Sequence, residues 1–165
     1  DIHSIFGYLQ VGEILRLGAN PDACEIIEQY PWLEGHPHLY GTRDANNTLY
    51  IASENLILNN NITPYSGAGT FNRFSKDLQL TAENQNSRSL WKVPSWLKPP
   101  SEETSLLTYH GDKKRWSKNE KGEDLLQSVA KGQEFVTSLK ETIEFEQWFN
   151  RLLNNEFVQK NKFKL

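Results

Sequence analysis

Apolar and polar positions fall into short blocks along this chain, and the blocks predict many strands and few helices. Residues 2–16, IHSIFGYLQVGEILR, mix β-branched and aromatic residues with Gly7 and Gly12. That pattern predicts one long strand, or two strands broken by a glycine bulge. Thr48–Ala52 has the length and apolarity of a buried strand, and Leu56–Leu58 extends it or pairs with it. Leu78–Thr81 alternates as a short strand does, 132–136 reads as a strand, and Gly122–Ala130 fits either strand or helix. Helical signals occur twice. Asn20-Pro21-Asp22 is a start signal in which Asp22 caps a helix over 23–30, with Cys24, Ile27 and Tyr30 or Ile26, Tyr30 and Leu33 as its apolar stripe and Pro31 as its end. Between Glu141 and Leu153, the residues Ile143, Phe145, Phe149, Leu152 and Leu153 recur near helical spacing.

The intervals carry turn chemistry. His36–Asn47 is a loop rich in Gly, Pro and Asn, and Asn59-Asn60-Asn61 and Ser66-Gly67-Ala68-Gly69 are turns. RSLWKVPSWLKPP, residues 88–100, holds two Trp and three Pro and is extended and shelf-like rather than helical. The tail, 154–165, is polar, basic at Lys160, Lys162 and Lys164, and reads as frayed. With no internal repeat and no linker, the expectation is one β-rich α+β domain over residues 1–153.

Composition narrows the function classes. The 165 residues are 37% hydrophobic and 12% aromatic, so large rings supplement a modest aliphatic core. A net charge of −3 argues against coating duplex DNA by bulk electrostatics, and leaves a local patch or a single nucleotide in a pocket. One cysteine, Cys24, excludes an internal disulfide and reads as core rather than as a reactive thiol. No run approaches the ~20 apolar residues of a membrane span, so the expectation is a cytoplasmic protein with no membrane partner. The chain contains no Met, and its first residues read as the middle of a strand, which predicts that an amino-terminal part of the parent domain is missing.

The densest chemistry lies in YHGDKKRW, where Tyr109, His110, Asp112, Arg115 and Trp116 flank a glycine that permits a tight turn. These groups suit a flat, polar or anionic ligand, and a polar turn anchored by one tryptophan would have the same sequence. Arg88, Trp91, Trp96, Arg115 and Trp116 offer stacking and anion-binding walls, against the plainer reading that Trp91 and Trp96 pack beneath the proline shelf. Gln133-Glu134 pairs an amide with a carboxylate, as needed to read a base edge, and equally suits a strand end. Glu13 sits either on a solvent face or as a buried acid. His36-Pro37-His38 places two imidazoles at chelate spacing, with His110 and Asp112 as conceivable third and fourth ligands, but no Glu follows at the distance a metal site of that kind uses, and loop anchoring by hydrogen bonds is the favoured reading; no metal site is assigned. Gly67-Ala68-Gly69 lacks the lysine of a P-loop and the third glycine of a dinucleotide turn.

HSIFGYLQVGEI, HPH, NNTLYIASENL, GAGTFNRF, LQLTAENQNSRSLWKVPSW, YHGDKKRW and SVAKGQEFV follow one another in this order. The succession resembles the nucleotide modification associated domain 3 family of bacteria and their phages, from residue 2 to about residue 150. The matching positions are His36, His38, Ser53, Arg73, Arg88, Trp91, His110, Gly111, Arg115, Trp116, Gly132, Gln133 and Glu134. The resemblance implies a link to systems that make or recognise altered DNA bases, with DNA-modifying enzymes as partners. It supplies no catalytic assignment and no cofactor. The spacing in Ile5–Ile14 also looks like a strand of PUA-like small barrels with peripheral helices.

Three readings stay open. In the first, the domain binds a nucleotide or modified DNA base: Trp91 or Trp116 stacks on it, Gln133 and Glu134 read its edge, Arg88 and Arg115 hold phosphate, and His36, His38 and Tyr109 complete the site. In the second, the domain is an enzyme acting on a nucleotide or modified base. His110 is then the general acid/base, Asp112 holds its tautomer, and Arg115 stabilises developing charge. In the third, it is a scaffold without a small ligand.

Overall fold

The computed structural model describes residues 1–100, 107, 110–129, 136 and 143–154, and its elements are those of an α+β protein. Contacts group the chain into two compact units, one built on Gly7–Thr70 and the other on Asp1–Phe6 with the described residues from Phe71 onward.

In the Gly7–Thr70 unit, the apolar opening does break into two strands, β1 (Gly7–Leu9) and β2 (Val11–Arg16). β2 pairs antiparallel with β3 (Thr48–Ala52), and the register slips between Val11 and Glu13, so Gly12 is the bulged residue. A Cβ at Gly12 would lie 2.7 Å from the Ser53 Cα, so only glycine lets the two backbones approach this closely. Leu15 faces Leu49 across the pair, and both belong to a core with Leu33 and Leu39. The helix α1 (Ala23–Gln29) begins as predicted: the Asp22 carboxylate accepts from the Cys24 and Glu25 N–H groups at 3.0 and 3.1 Å. Its packed side chains are Ile26, Ile27 and Tyr30, while Cys24 is exposed, which corrects the expectation of a core cysteine. Glu13 resolves to the exposed side, where it accepts from the Tyr30 hydroxyl at 2.6 Å.

β4 (Asn55–Leu58) and β5 (Asn61–Ser66) form a hairpin. Its turn residues Asn59 and Asn60 have φ of 49° and 59°, as primed turns require. β5 was not expected, and Ser66–Gly69 is not simply a turn, because β6 (Ala68–Thr70) pairs with β1.

In the other unit, His3–Ile5 runs alongside 78–81, with Leu80 N–H bonded to the His3 carbonyl at 2.9 Å. Leu78–Thr81 makes isolated bridges at Gln79 and Thr81 rather than a strand. The shelf is extended, as predicted: β7 (Leu90–Lys92) is followed by a single 3-10 turn over Ser95–Leu97. β8 (Trp116–Lys118) and β9 (Asp124–Gln127) complete an antiparallel sheet of order β7-β9-β8. Of the segment expected as strand or helix over 122–130, Asp124–Gln127 is strand, and residue 130 lies outside the described residues. α2 (Ile143–Asn154) packs Phe145, Phe149, Leu152 and Leu153 inward. The strand expected at 132–136 and the tail beyond Asn154 lie outside the described residues, Val136 excepted. Among the described residues the sheets are open ribbons and one three-stranded sheet, with no closed barrel of the PUA-like kind. No described helix is long and apolar enough to cross a membrane.

Candidate functional site

The sheet register puts Trp91 and Trp116 on one face, and their burial separates core from rim. Trp91 on β7 and Trp116 on β8 both lie opposite Leu126 of the central strand β9, so the three side chains form one row across one face. Trp91 is 1% exposed and packs with Leu80, Val93, Leu97 and Leu126. Its indole N–H donates to the His3 Nδ1 at 3.0 Å, and the His3 ring meets its edge at 5.8 Å. Trp91 is thus a core residue in this structure, as the plainer reading has it. Trp96 stands edge-on to Phe145 and Trp148 of α2, each at 5.9 Å, which is the packing role expected under the proline shelf.

His110 is likewise interior, at 0% exposure, with its ring 5.6 Å from that of Trp91. Its Nε2 accepts from the Val129 N–H at 3.4 Å. Asp112 does not orient it. The Asp112 carboxylate caps the 3-10 turn over Lys113–Arg115 by accepting from the Lys114 N–H at 2.8 Å. A general acid/base must come within about 3 Å of the proton it moves. In this structure the His110 ring lies in the core beside Trp91, and the Asp112 carboxylate is engaged with the Lys114 N–H.

What the YHGDKKRW segment builds is a tethered turn. The Trp116 indole N–H donates back to the His110 carbonyl at 2.9 Å, and the Arg115 N–H donates to the Asp112 carbonyl at 3.1 Å. The buried histidine anchors the loop, and the tether fixes the orientation of a half-buried indole at its end. Trp116 then meets the proline shelf. An open cleft of about 490 Å³ is lined by Ser95, Lys98, Pro99, Pro100, Lys113 and Trp116. Two sequence motifs distant along the chain thus share one concave surface, with an aromatic face, two ammonium groups and a wall of prolines. Lys98 is held by Asp124 on β9, Nζ to Oδ1 at 2.5 Å, and Lys118 stands 3.7 Å from the same oxygen. Hydrogen bonding to Lys98 is the largest of the effects that hold the Asp124 carboxyl below the usual aspartate range, against the opposing pull of burial.

Other expected site residues lie elsewhere. Arg88 is exposed and ion-paired with Asp1 at 3.3 Å. Arg115 is half-buried beside the cleft residues in sequence but does not line it. Tyr109, Gln133 and Glu134 lie outside the described residues. His36 and His38 belong to the Gly7–Thr70 unit, with ring centroids 5.4 Å apart. There the Asn47 amide donates to the His38 carbonyl at 3.0 Å, which turns its oxygen toward His38 Nδ1 at 2.7 Å, so Nδ1 carries the proton. The His38 N–H in turn donates to His36 Nδ1 at 3.3 Å. Arg43 adds bonds to the Pro37 and Tyr40 carbonyls. The pair is thus wired into its loop, the reading favoured from sequence. Among the described residues, no three His, Cys, Asp or Glu side chains gather as metal ligands. Lys98 and Lys113 were missed as site residues, although each sits in a motif singled out for its tryptophans.

Taken together, these features define an α+β domain with an aromatic, cationic surface cleft. The family model described as nucleotide modification associated domain 3 matches residues 1–138 of the 165, and the chain belongs to that family. The family's name associates it with nucleotide modification systems. No curated protein and no solved structure matches the chain.

Proposed function

We propose that this domain recognises a nucleotide or a modified DNA base and serves cytoplasmic DNA base modification systems as a binding module. The observation that carries this reading is the cleft in which the tethered Trp116 indole stands with Lys98 and Lys113. An indole fixed by its own N–H bond presents a π-face at little entropic cost, and ammonium groups beside it suit the phosphate of the stacked nucleotide. A volume of about 490 Å³ is of the size that small-ligand clefts have. The net charge of −3 favours such local recognition over coating of duplex DNA.

The test is calorimetric titration of the intact chain with single-stranded trinucleotides carrying ordinary and methylated bases. Trp116→Ala is expected to weaken binding by about 1–3 kcal/mol, the value of one base–aromatic stack. Lys113→Gln, at an exposed position, is expected to weaken it without changing stability. Unchanged affinity in both variants contradicts the reading.

A further inference from the structure

We propose that the cleft takes a base still joined within a strand, meeting one phosphodiester, and discriminates against free nucleoside triphosphates. The inference rests on the binding reading above and names its substrate class. Its ground is the charge balance of the cleft. Two lysines line it, but they are not equivalent. The Lys98 ammonium is 2.5 Å from the Asp124 carboxylate, whose side chain is only 14% exposed. That carboxylate lies on the central strand and also draws Lys118, whose Nζ donates to the Gly122 carbonyl at 3.0 Å. Much of the Lys98 charge is therefore balanced before any ligand arrives. Lys113 is exposed at the start of its turn, and no carboxylate among the described residues forms an ion pair with it.

One unbalanced ammonium matches the single charge of a phosphodiester. A triphosphate brings several negative charges to the same place, where the Asp124 carboxylate already pairs with Lys98. Polyphosphate sites meet such charge with a glycine-rich nest of backbone N–H groups. The chain's best glycine candidate, Gly67-Ala68-Gly69, is spent otherwise. Gly67 lies against the Ser53 backbone so closely that a Cβ would collide with it, and Ala68 and Gly69 belong to β6. Asp124 is thus a positioning residue: it sets the Lys98 ammonium at the cleft wall and caps how much anionic charge the cleft accepts.

The experiment is a competition on the intact chain between a single-stranded trinucleotide and the nucleoside triphosphate of the same base, repeated across a salt series. The trinucleotide is expected to bind at least about tenfold tighter. Its log K is expected to fall with log salt at a slope of about −0.7, the value for one phosphate contact on a single strand. In Asp124→Asn the triphosphate is expected to gain affinity and the preference to narrow, a change that a purely structural role for Asp124 would not produce. A triphosphate that binds wild type as tightly as the trinucleotide, or a slope several times steeper, overturns the inference while leaving the binding reading intact. Should Asp124→Asn fail to fold, the wild-type ratio and slope still decide. If neither probe binds wild type, the binding reading itself fails.

Discussion

Two tryptophans that share one row of a sheet have opposite consequences. Trp91, 1% exposed, fills the core, and Trp91→Ala is expected to cost about 3–5 kcal/mol, as buried aromatic truncations do. Urea unfolding measures it, and a cost below about 1 kcal/mol would mean that the indole is not packed as described. Trp116→Ala removes a half-buried ring and is expected to cost less stability while removing the proposed ligand contact. The sequence did not separate these roles. Both residues sit in basic, polar-flanked motifs and oppose Leu126, and only their burial in the folded chain shows that one is interior and the other at the rim. His110 illustrates the same limit. A histidine beside Gly-Asp reads as reactive, yet here it is a wholly buried anchor whose carbonyl holds Trp116. At Tyr30 the effect is electrostatic. The hydrogen bond to the Glu13 carboxylate, with burial and the same charge adding to it, holds the phenol above its ordinary value of 10.0. Glu13→Gln is expected to lower that value, visible as earlier tyrosinate absorbance in an alkaline titration; an unchanged curve would show that the contact is not made in solution.

Elements were more legible than side-chain roles. Thr48–Ala52 and the Asp22-capped helix are where the apolar runs and cap chemistry put them. β5 was hidden because Asn61-Ile62-Thr63-Pro64-Tyr65-Ser66 contains a proline and no apolar run, and its pairing is set by the Asn59-Asn60 turn. β6 was hidden because Ser-Gly-Ala-Gly has turn composition, whereas glycine serves close backbone packing there. That packing is testable at the bulge. Gly12→Ala puts a methyl 2.7 Å from the Ser53 Cα, and the β2–β3 pair is expected to lose about 1–3 kcal/mol, read by urea unfolding. A neutral result would mean that the ribbon can part without cost. At β9, the Asp124 carboxyl titrates lower in the folded chain than its ordinary value of 3.8, so the unfolded chain takes up the proton first as pH falls. The stability it contributes is present above that ordinary value and is lost as pH falls below it through the folded value. Asp124→Asn should therefore flatten the acid limb of a stability-versus-pH curve; an unaltered limb would assign acid sensitivity to other carboxylates.

At the scale of the whole molecule, the succession of motifs pointed to the family that the family model matches. The chain belongs to the nucleotide modification associated domain 3 family, and its net charge of −3 is consistent with the proposed recognition of one nucleotide rather than a length of duplex. The candidate cleft was half legible. Trp116 and its basic neighbours stood out, but the opposing shelf enters through Lys98 and two prolines that pattern reasoning treats as spacers. Only the meeting of residues 95–100 with 113–116 converts both motifs into a surface. The most direct measurement follows the indole N–H signals of the intact, isotope-labelled chain by NMR as a single-stranded trinucleotide is added. The account predicts that the Trp116 signal moves, with Trp91 unchanged in its bond to His3. A Trp116 signal that stays in place while the trinucleotide binds would contradict it.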